Sequence, residues 1–289
     1  NLILFLFYKL RLYSTMDTNL DDLLCKRNRD DYYSLHSFNG EPAVICESGR
    51  KEWYNHGKLH SYNDNYAVKD CRGNLYWYHL GKLHRFNDKP AIIYINGTQE
   101  WYKNGKRHRE RGPAIINRDG SVTWFKNGVT HRDNDLPAVI WKHGTKEWWV
   151  NGQRHREDDK PAIVHKHGMK KWYYNNNLHR NHDKPAIVQS LVNEWWIHGK
   201  RHRNYGKPAE VWNTSEHKFW WLHGKPVSEK QAKFIHKMQN KILKKYFRIW
   251  QDITYENGKP GYYSRLQREM NEDMDTLEND IGYKFELSY

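Results

Sequence analysis

Tryptophan returns along this chain at near-constant intervals of 23 to 25 residues: Trp53, Trp77, Trp101, Trp124, Trp148, Trp172, Trp195 and Trp220. A fixed period of this length restricts the fold to stacked copies of one small unit. The unit reads most clearly at Pro90–Arg109, where Pro-Ala opens it, Asn-Gly-Thr-Gln-Glu follows, and Trp-Tyr-Lys-Asn-Gly-Lys-Arg-His-Arg closes it. Seven residues after each of the first seven tryptophans stands a histidine: His60, His84, His108, His131, His155, His179 and His202. Pro-Ala recurs at Pro42, Pro90, Pro113, Pro137, Pro161, Pro185 and Pro208, with Tyr66 in the proline position once.

Each unit reads as one β-hairpin. Its first strand starts at Pro-Ala and runs through β-branched residues such as Ile92 and Ile93, which favour a pleated, half-buried surface. Proline suits a first strand position because no ladder donor is needed there. Asn96-Gly97 and Asp119-Gly120 are dipeptides preferred by two-residue hairpin turns. The return strand carries Glu-Trp-Tyr, and adjacent residues of a strand point to opposite faces. Trp101 and Tyr102 are thus expected to build two aromatic ladders. A second glycine four residues past tryptophan, as at Gly105, ends the return strand. Two strands per unit give roughly 10 Å per repeat, so eight units predict a twisted rod of about 80 Å.

The expected fold class is therefore mainly β: an elongated array of about eight antiparallel hairpins in a single twisted sheet, followed by a C-terminal helical segment. Residues 1–30 form an N-terminal segment, 31–227 the array and 228–289 a helical cap. Composition agrees with a thin body. Only 37% of residues are hydrophobic and mean hydropathy is −1.07, yet 15% are aromatic, and disordered chains are aromatic-poor.

The flanks break the period. Leu2–Tyr8 is apolar but far shorter than the ~20 residues a membrane helix needs, and no transmembrane segment is expected. Met16 reads as the native start, with residues 1–15 as upstream sequence, and Asp17–Lys26 reads as a weak acidic helix. Gln189–Asn193 lacks the glycine turn and Val227 stands where histidine would be, as terminal repeats often do. Ser228 followed by Gln231 is a capping-box pattern. Phe234, Ile235, Met238, Ile242, Tyr246, Ile249, Trp250 and Ile253 then fall at helical spacing. Asn257–Gly261 breaks that helix, and Ser264 to about Asp280 reads as a second, acidic helix paired against it.

The string Trp101–His108 with the Asp119-Gly120 turn resembles the MORN repeat family, over about 190 of the 289 residues. Arginine stands where that pattern has glycine after histidine, and Pro-Ala is foreign to it. The variant Trp-Tyr-x-Asn-Gly-x-x-His-Arg…Pro-Ala looks still more like repeats of uncharacterised proteins in giant DNA viruses and large phages. The stretch from Trp250 to Glu269 is similar to C-terminal segments common in giant-virus proteins. The resemblance implies scaffolding, with phospholipid contact proposed for some members, and transfers no catalytic residue.

The chemistry in the sequence is repetitive. Histidine with aspartate four residues on recurs in five units, whereas an enzyme needs one site in one pocket. A structural role for both is expected, and no catalytic residue. Equivalent histidines some 10 Å apart are too far for one shared ion, so no metal site is expected. His165 and His167, sharing a strand face, are the best remaining ligand pair. No P-loop, dinucleotide fingerprint or HExxH occurs, and no cofactor is expected. Cysteines number three, with no CxxC, which favours a reducing compartment. Cys46 and Cys71, in successive units, read as buried thiols, and the two Asn-x-Ser/Thr sequons as turn chemistry.

The net charge of +14 and pI near 9.4 admit nucleic acid, anionic lipid or an acidic protein as partner. Arg85, Arg109, Arg132, Arg156, Arg180 and Arg203 follow six of the histidines and would line one edge. An exposed row would grip phosphates; the competing reading pairs each arginine with acids between loops. One repeated side chain carries no base code, so sequence-specific nucleic-acid reading is not expected. The helix Lys230–Ile253 has two readings as well, a cap on the array or a binder of membranes and calmodulin-like partners. The functional expectation is a non-enzymatic cytoplasmic or virion scaffold for protein–protein interaction. A peripheral protein binding phospholipid or another polyanion through the arginine ridge is the alternative.

Overall fold

A computed structural model describes residues 25–255 and 267–276. The expectations for residues 1–15, for Met16, for the Asn257–Gly261 break and for both ends of the acidic helix lie outside these residues. Cys25 and Lys26, assigned above to a helix, belong instead to a strand, Cys25–Arg27. The fold is mainly β, with repeated antiparallel hairpins and a C-terminal helix. It divides into two units, 1–142 and 143–289.

In the first unit, Cys25–Arg27 pairs with Val44–Cys46, and the sheet continues strand by strand. Each next strand is antiparallel to the last, through Lys51–Glu52, Val68–Lys69, Leu75–Tyr76, Ile92–Ile93, Gln99–Glu100 and Ile115–Ile116 to Val122–Thr123 and Val139–Ile140. The second unit repeats the plan from Lys146–Glu147 through Ile163–Val164, Lys170–Lys171, Ile187–Val188 and Val192–Glu194 to Glu210–Trp212 and Lys218–Leu222.

A repeat, however, contains two hairpins, not one. The return strand breaks at tryptophan. Glu100 still pairs with Ile92 and Ile115 in the sheet, but Trp101 turns its N–H to the carbonyl of Ala114 in the following repeat, 2.8 Å away. Tyr102–Lys103 then pairs with Lys106–Arg107 in a separate two-stranded hairpin. Six further small hairpins follow the same rule, as at Tyr54–Asn55 with Lys58–Leu59 and Tyr173–Tyr174 with Asn177–Leu178. The expected pair of aromatic ladders on one continuous strand is therefore absent.

The turn chemistry moves accordingly. Asn104 and Gly105, at φ 52° and 82°, are the two left-handed residues of the tight turn that two-residue hairpins prefer. The glycine expected to end the strand thus makes a turn of its own. At Asn96-Gly97 only Gly97 has positive φ. Gly97 donates to the Tyr94 carbonyl and Tyr94 to that of Thr98, which is a three-residue turn closed by a left-handed glycine. His165 and His167 fall in the equivalent turn, so they do not share a strand face.

The core is thin. The alanines after proline are almost wholly buried, from Ala67, Ala91, Ala114 and Ala138 to Ala162, Ala186 and Ala209 at 0% exposure. Each sits where a tryptophan N–H arrives, as Ala91 receives Trp77, and a methyl is all this crossing admits. Cys46, expected as a buried thiol, instead forms a disulfide with Cys25, and Cys71 is exposed.

Helix α1 spans Glu229–Tyr255. The capping box forms as read: Ser228 N–H donates to Gln231 Oε1, and Gln231 N–H donates to Ser228 Oγ. Ala232 and Ile235 are buried while Phe234 is 55% exposed, so the packed face is set one position off the aromatic. Gly206, at φ 64°, lies under α1; a Cβ there would approach the Ala232 carbonyl and Lys233 Cα to 3.2 Å. Helix 267–276 meets α1 through Asp273, which accepts from Tyr246 Oη at 2.8 Å and Lys245 Nζ at 2.7 Å.

Replacing Ala91 with leucine should overpack the crossing and cost about 1–3 kcal/mol, read as a lower thermal midpoint. The same change at exposed Lys58 should be nearly silent.

Candidate functional site

Arginine, not a second indole, is the partner found over the ring face of six repeat tryptophans. Each carries the guanidinium of the arginine eight residues later, with Cζ 3.7–4.0 Å from the ring centroid. These are Arg85 on Trp77, Arg109 on Trp101, Arg132 on Trp124, Arg156 on Trp148, Arg180 on Trp172 and Arg203 on Trp195. Each of these arginines also donates through Nη1 to the carbonyl of the next proline, as Arg180 does to Pro185 at 3.2 Å. A guanidinium held over an indole is worth roughly 0.5–2 kcal/mol.

Arg85, Arg109, Arg180 and Arg203 each grip a carboxylate of the preceding repeat with both prongs. Arg85 reaches Asp64 at 2.8 and 3.2 Å, Arg109 reaches Asp88 at 3.1 and 3.0 Å. Arg180 reaches Asp159 at 2.7 and 3.0 Å, and Arg203 reaches Asp183 at 2.7 and 3.1 Å. The guanidinium fork matches carboxylate geometry, which makes such bonds both strong and orienting. Lys89, Lys184 and Lys207 close on the same acids. The side chains of these four arginines are only 13–18% exposed. The open phosphate-gripping ridge is thus replaced, at these four, by the other reading, acid pairing between loops. Arg85 and Lys89 hold the Asp64 carboxyl down at about 2, and Arg180 with Lys184 does the same to Asp159.

The same aspartates serve the indole. Trp77, Trp101, Trp172 and Trp195 donate Nε1–H to the backbone carbonyls of Asp64, Asp88, Asp159 and Asp183. Trp53 and Trp220 use Gly40 and Gly206 in that place. One residue of the preceding loop thereby holds both the arginine and the tryptophan that follow it.

The histidines form a second joint. Nδ1 accepts the backbone N–H of the next small-hairpin turn at His60, His84, His108, His179 and His202, with partners Leu80, Asn104, Asn127, His198 and His223 at 3.1–3.3 Å. The acceptor role fixes the neutral tautomer with its proton on Nε2. That nitrogen faces the side chain two residues on: His131 meets Asp133, His155 meets Glu157, and His179 and His202 meet Asn181 and Asn204, all at 2.8 Å. His155 is the exception at the other nitrogen, its buried Nδ1 having no partner. Four residues past histidine, Asp64, Asp88, Asp159 and Asp183 instead serve the arginine of the next repeat. Asp30, His36 and His56 bring three donor atoms within 4.8 Å, but His36 Nδ1 already accepts the His56 N–H and Asp30 holds the His56 ring at 2.8 Å. They are the first copy of the histidine joint.

A row the sequence reading passed over is Glu52, Glu100, Glu147 and Glu194, each directly before tryptophan. Glu52, Glu100 and Glu147 are 5–7% exposed. Glu100 accepts from Tyr102 Oη at 2.9 Å and Arg107 Nε at 3.0 Å, and Glu147 accepts from Trp149 Nε1 and Arg154 Nε at 3.0 and 3.2 Å. Burial, with the Glu100 carboxylate beside it, pushes the Tyr102 phenol up to about 12. The recurrence of Glu-Trp was the available signal.

No protein-family model and no curated protein sequence matches this chain.

Two outcomes follow. Arg180→Gln should lower the thermal midpoint, by roughly 0.5–2 kcal/mol for the lost indole contact, with a smaller loss from Asp159→Asn. Burial lowers the proton affinity of His60, His84 and His179 in the fold. Below pH 6.5 the unfolded chain therefore binds more protons than the folded one, and stability falls as pH drops. Thermal melts should change little from pH 8 to 7 and decline from pH 6.5 to 5, above the midpoints of ordinary carboxylates.

Proposed function

We propose that this chain is a non-enzymatic repeat scaffold presenting a recognition surface to a protein partner, a MORN-like protein of the giant-virus and phage kind, acting in host cytoplasm or virion. The observation that carries this is a contrast within each loop. The arginine, aspartate and histidine joints recur with little change. The residue two past histidine changes chemistry along the chain: Phe38, Tyr62 and Phe86, then Glu110, Asp133 and Glu157, then Asn181 and Asn204. Most of these positions face solvent; Phe38 and Phe86 are 48% and 57% exposed, and the Glu157 side chain 82%. A fixed frame displaying varied side chains at equivalent points suits selective contact with another protein.

Phospholipid or polyanion binding is the competing reading, supported by the net charge of +14. The arginine row is a poor carrier for it, because guanidinium prongs already on carboxylates cannot also take phosphate. Among the described residues, no helix is long and apolar enough to cross a membrane.

A photo-crosslinking residue at position 86, introduced in cells of the native source, should trap a protein of discrete mass. The same residue at Lys58, an exposed position on a small hairpin outside these loops, should not. Lipid or nucleic-acid adducts at both positions would replace this reading with the polyanion one.

A further inference from the structure

At Arg132 the arginine–aspartate joint stands without its acid. The loop from His108 to Pro113 is one residue shorter than that from His84 to Pro90, and the aspartate is lost. Gly112 stands there instead, with the Arg109 guanidinium so near that a Cβ would lie 3.1 Å from Nη1. Elsewhere the chain drops both partners together: Gly40 is followed in register by Ser61, and Gly206 by Ser228, neither of them arginine. After Gly112 the arginine is kept. Arg132 sits over Trp124 at 3.8 Å and donates Nη1 to the Pro137 carbonyl at 3.1 Å. That pose matches its equivalents, yet no carboxylate reaches it among the described residues.

Three further features belong to the same spot. The Trp124 indole N–H has no hydrogen-bond acceptor among the described residues, whereas the Trp101 N–H holds the Asp88 carbonyl. Leu136, 44% exposed, replaces the lysine that closes on the acid elsewhere. A cleft of about 550 Å³ opens there, lined by Arg111, Trp124, Lys126, Arg132 and Leu136 among others. Its two acids are already engaged, Glu110 with Lys103 and Asp133 with Lys126 and His131. Burial with no facing acid lowers the proton affinity of Arg132, the mark of a cation lacking its counter-charge.

We propose that this cleft binds an aspartate presented on a turn of an acidic partner protein, its carboxylate on the Arg132 fork and its backbone carbonyl on the Trp124 indole N–H. The partner's residue would stand where the chain's own aspartate stands in other repeats. Both donors are preset by the stacking and the Pro137 bond, so little ordering is needed on binding. This deepens the scaffold reading and rests on it.

The test titrates a cyclic peptide copying residues 86–91, the chain's own Asn-Asp turn, into the full-length protein, following the Trp124 indole and Arg132 Nε–H signals by NMR. Both should shift, and binding should weaken at least tenfold when the peptide's aspartate is asparagine or when Arg132→Lys removes the fork. Replacing residues 110–112 with Phe-Asn-Asp-Lys, the loop at 86–89, should restore the internal joint, raise the thermal midpoint and abolish peptide binding. This variant reads the proposal even if changes at Arg132 impair folding. Equal binding of the aspartate and asparagine peptides would overturn it. So would undiminished binding by the loop variant, or inorganic phosphate moving the same signals at lower concentration than the peptide. Failure here with a protein still trapped at position 86 removes this site alone; peptide binding with no trapped protein removes the wider reading.

Discussion

A single indole ring governs how one repeat meets the next. Trp101 donates its backbone N–H to Ala114 ahead of it and its ring N–H to Asp88 behind it, while Arg109 covers its face. The arginine is in turn fixed by that same Asp88. Remove the ring and the break in the return strand loses its cause, the alanine crossing its occupant and the guanidinium its platform. Strands of two residues cannot hold by ladder bonds alone. The side-chain joints supply what the short ladders lack.

The polar content of this interior explains how a chain of such low hydropathy folds. Glu100 and Glu147 lie buried, a costly position for a carboxylate unless its oxygens are satisfied. Each receives a guanidinium and an aromatic donor from the adjoining small hairpin. The arrangement trades a thick apolar core for repeated, hydrogen-bonded polar contacts. Its cost is sensitivity: losing one partner strands the other.

Local chemistry was readable from the sequence. The period, the places where the chain turns, the Pro-Ala register and the Ser228–Gln231 cap all involve residues within a few positions of one another. What escaped was contact across about 20 residues. Nothing near Trp101 says that its N–H leaves the strand for Ala114, so one hairpin was expected where two form. Arg109 and Asp88 lie 21 residues apart, and only the stacking of repeats shows them as partners instead of an exposed row. The Cys25–Cys46 bond was hidden because the strand Cys25–Arg27 precedes the recognisable repeats.

Because each joint links residues some 20 positions apart, no stretch must wait for a distant part of the chain to arrive. Loop closure stays short throughout, and topologies of this kind form quickly. A nascent polypeptide could add one finished module after another as it leaves the ribosome, each new indole locking onto the loop just made. Growth by accretion asks little of the sequence beyond the next copy, and so permits duplication or loss of a module without redesign of what remains.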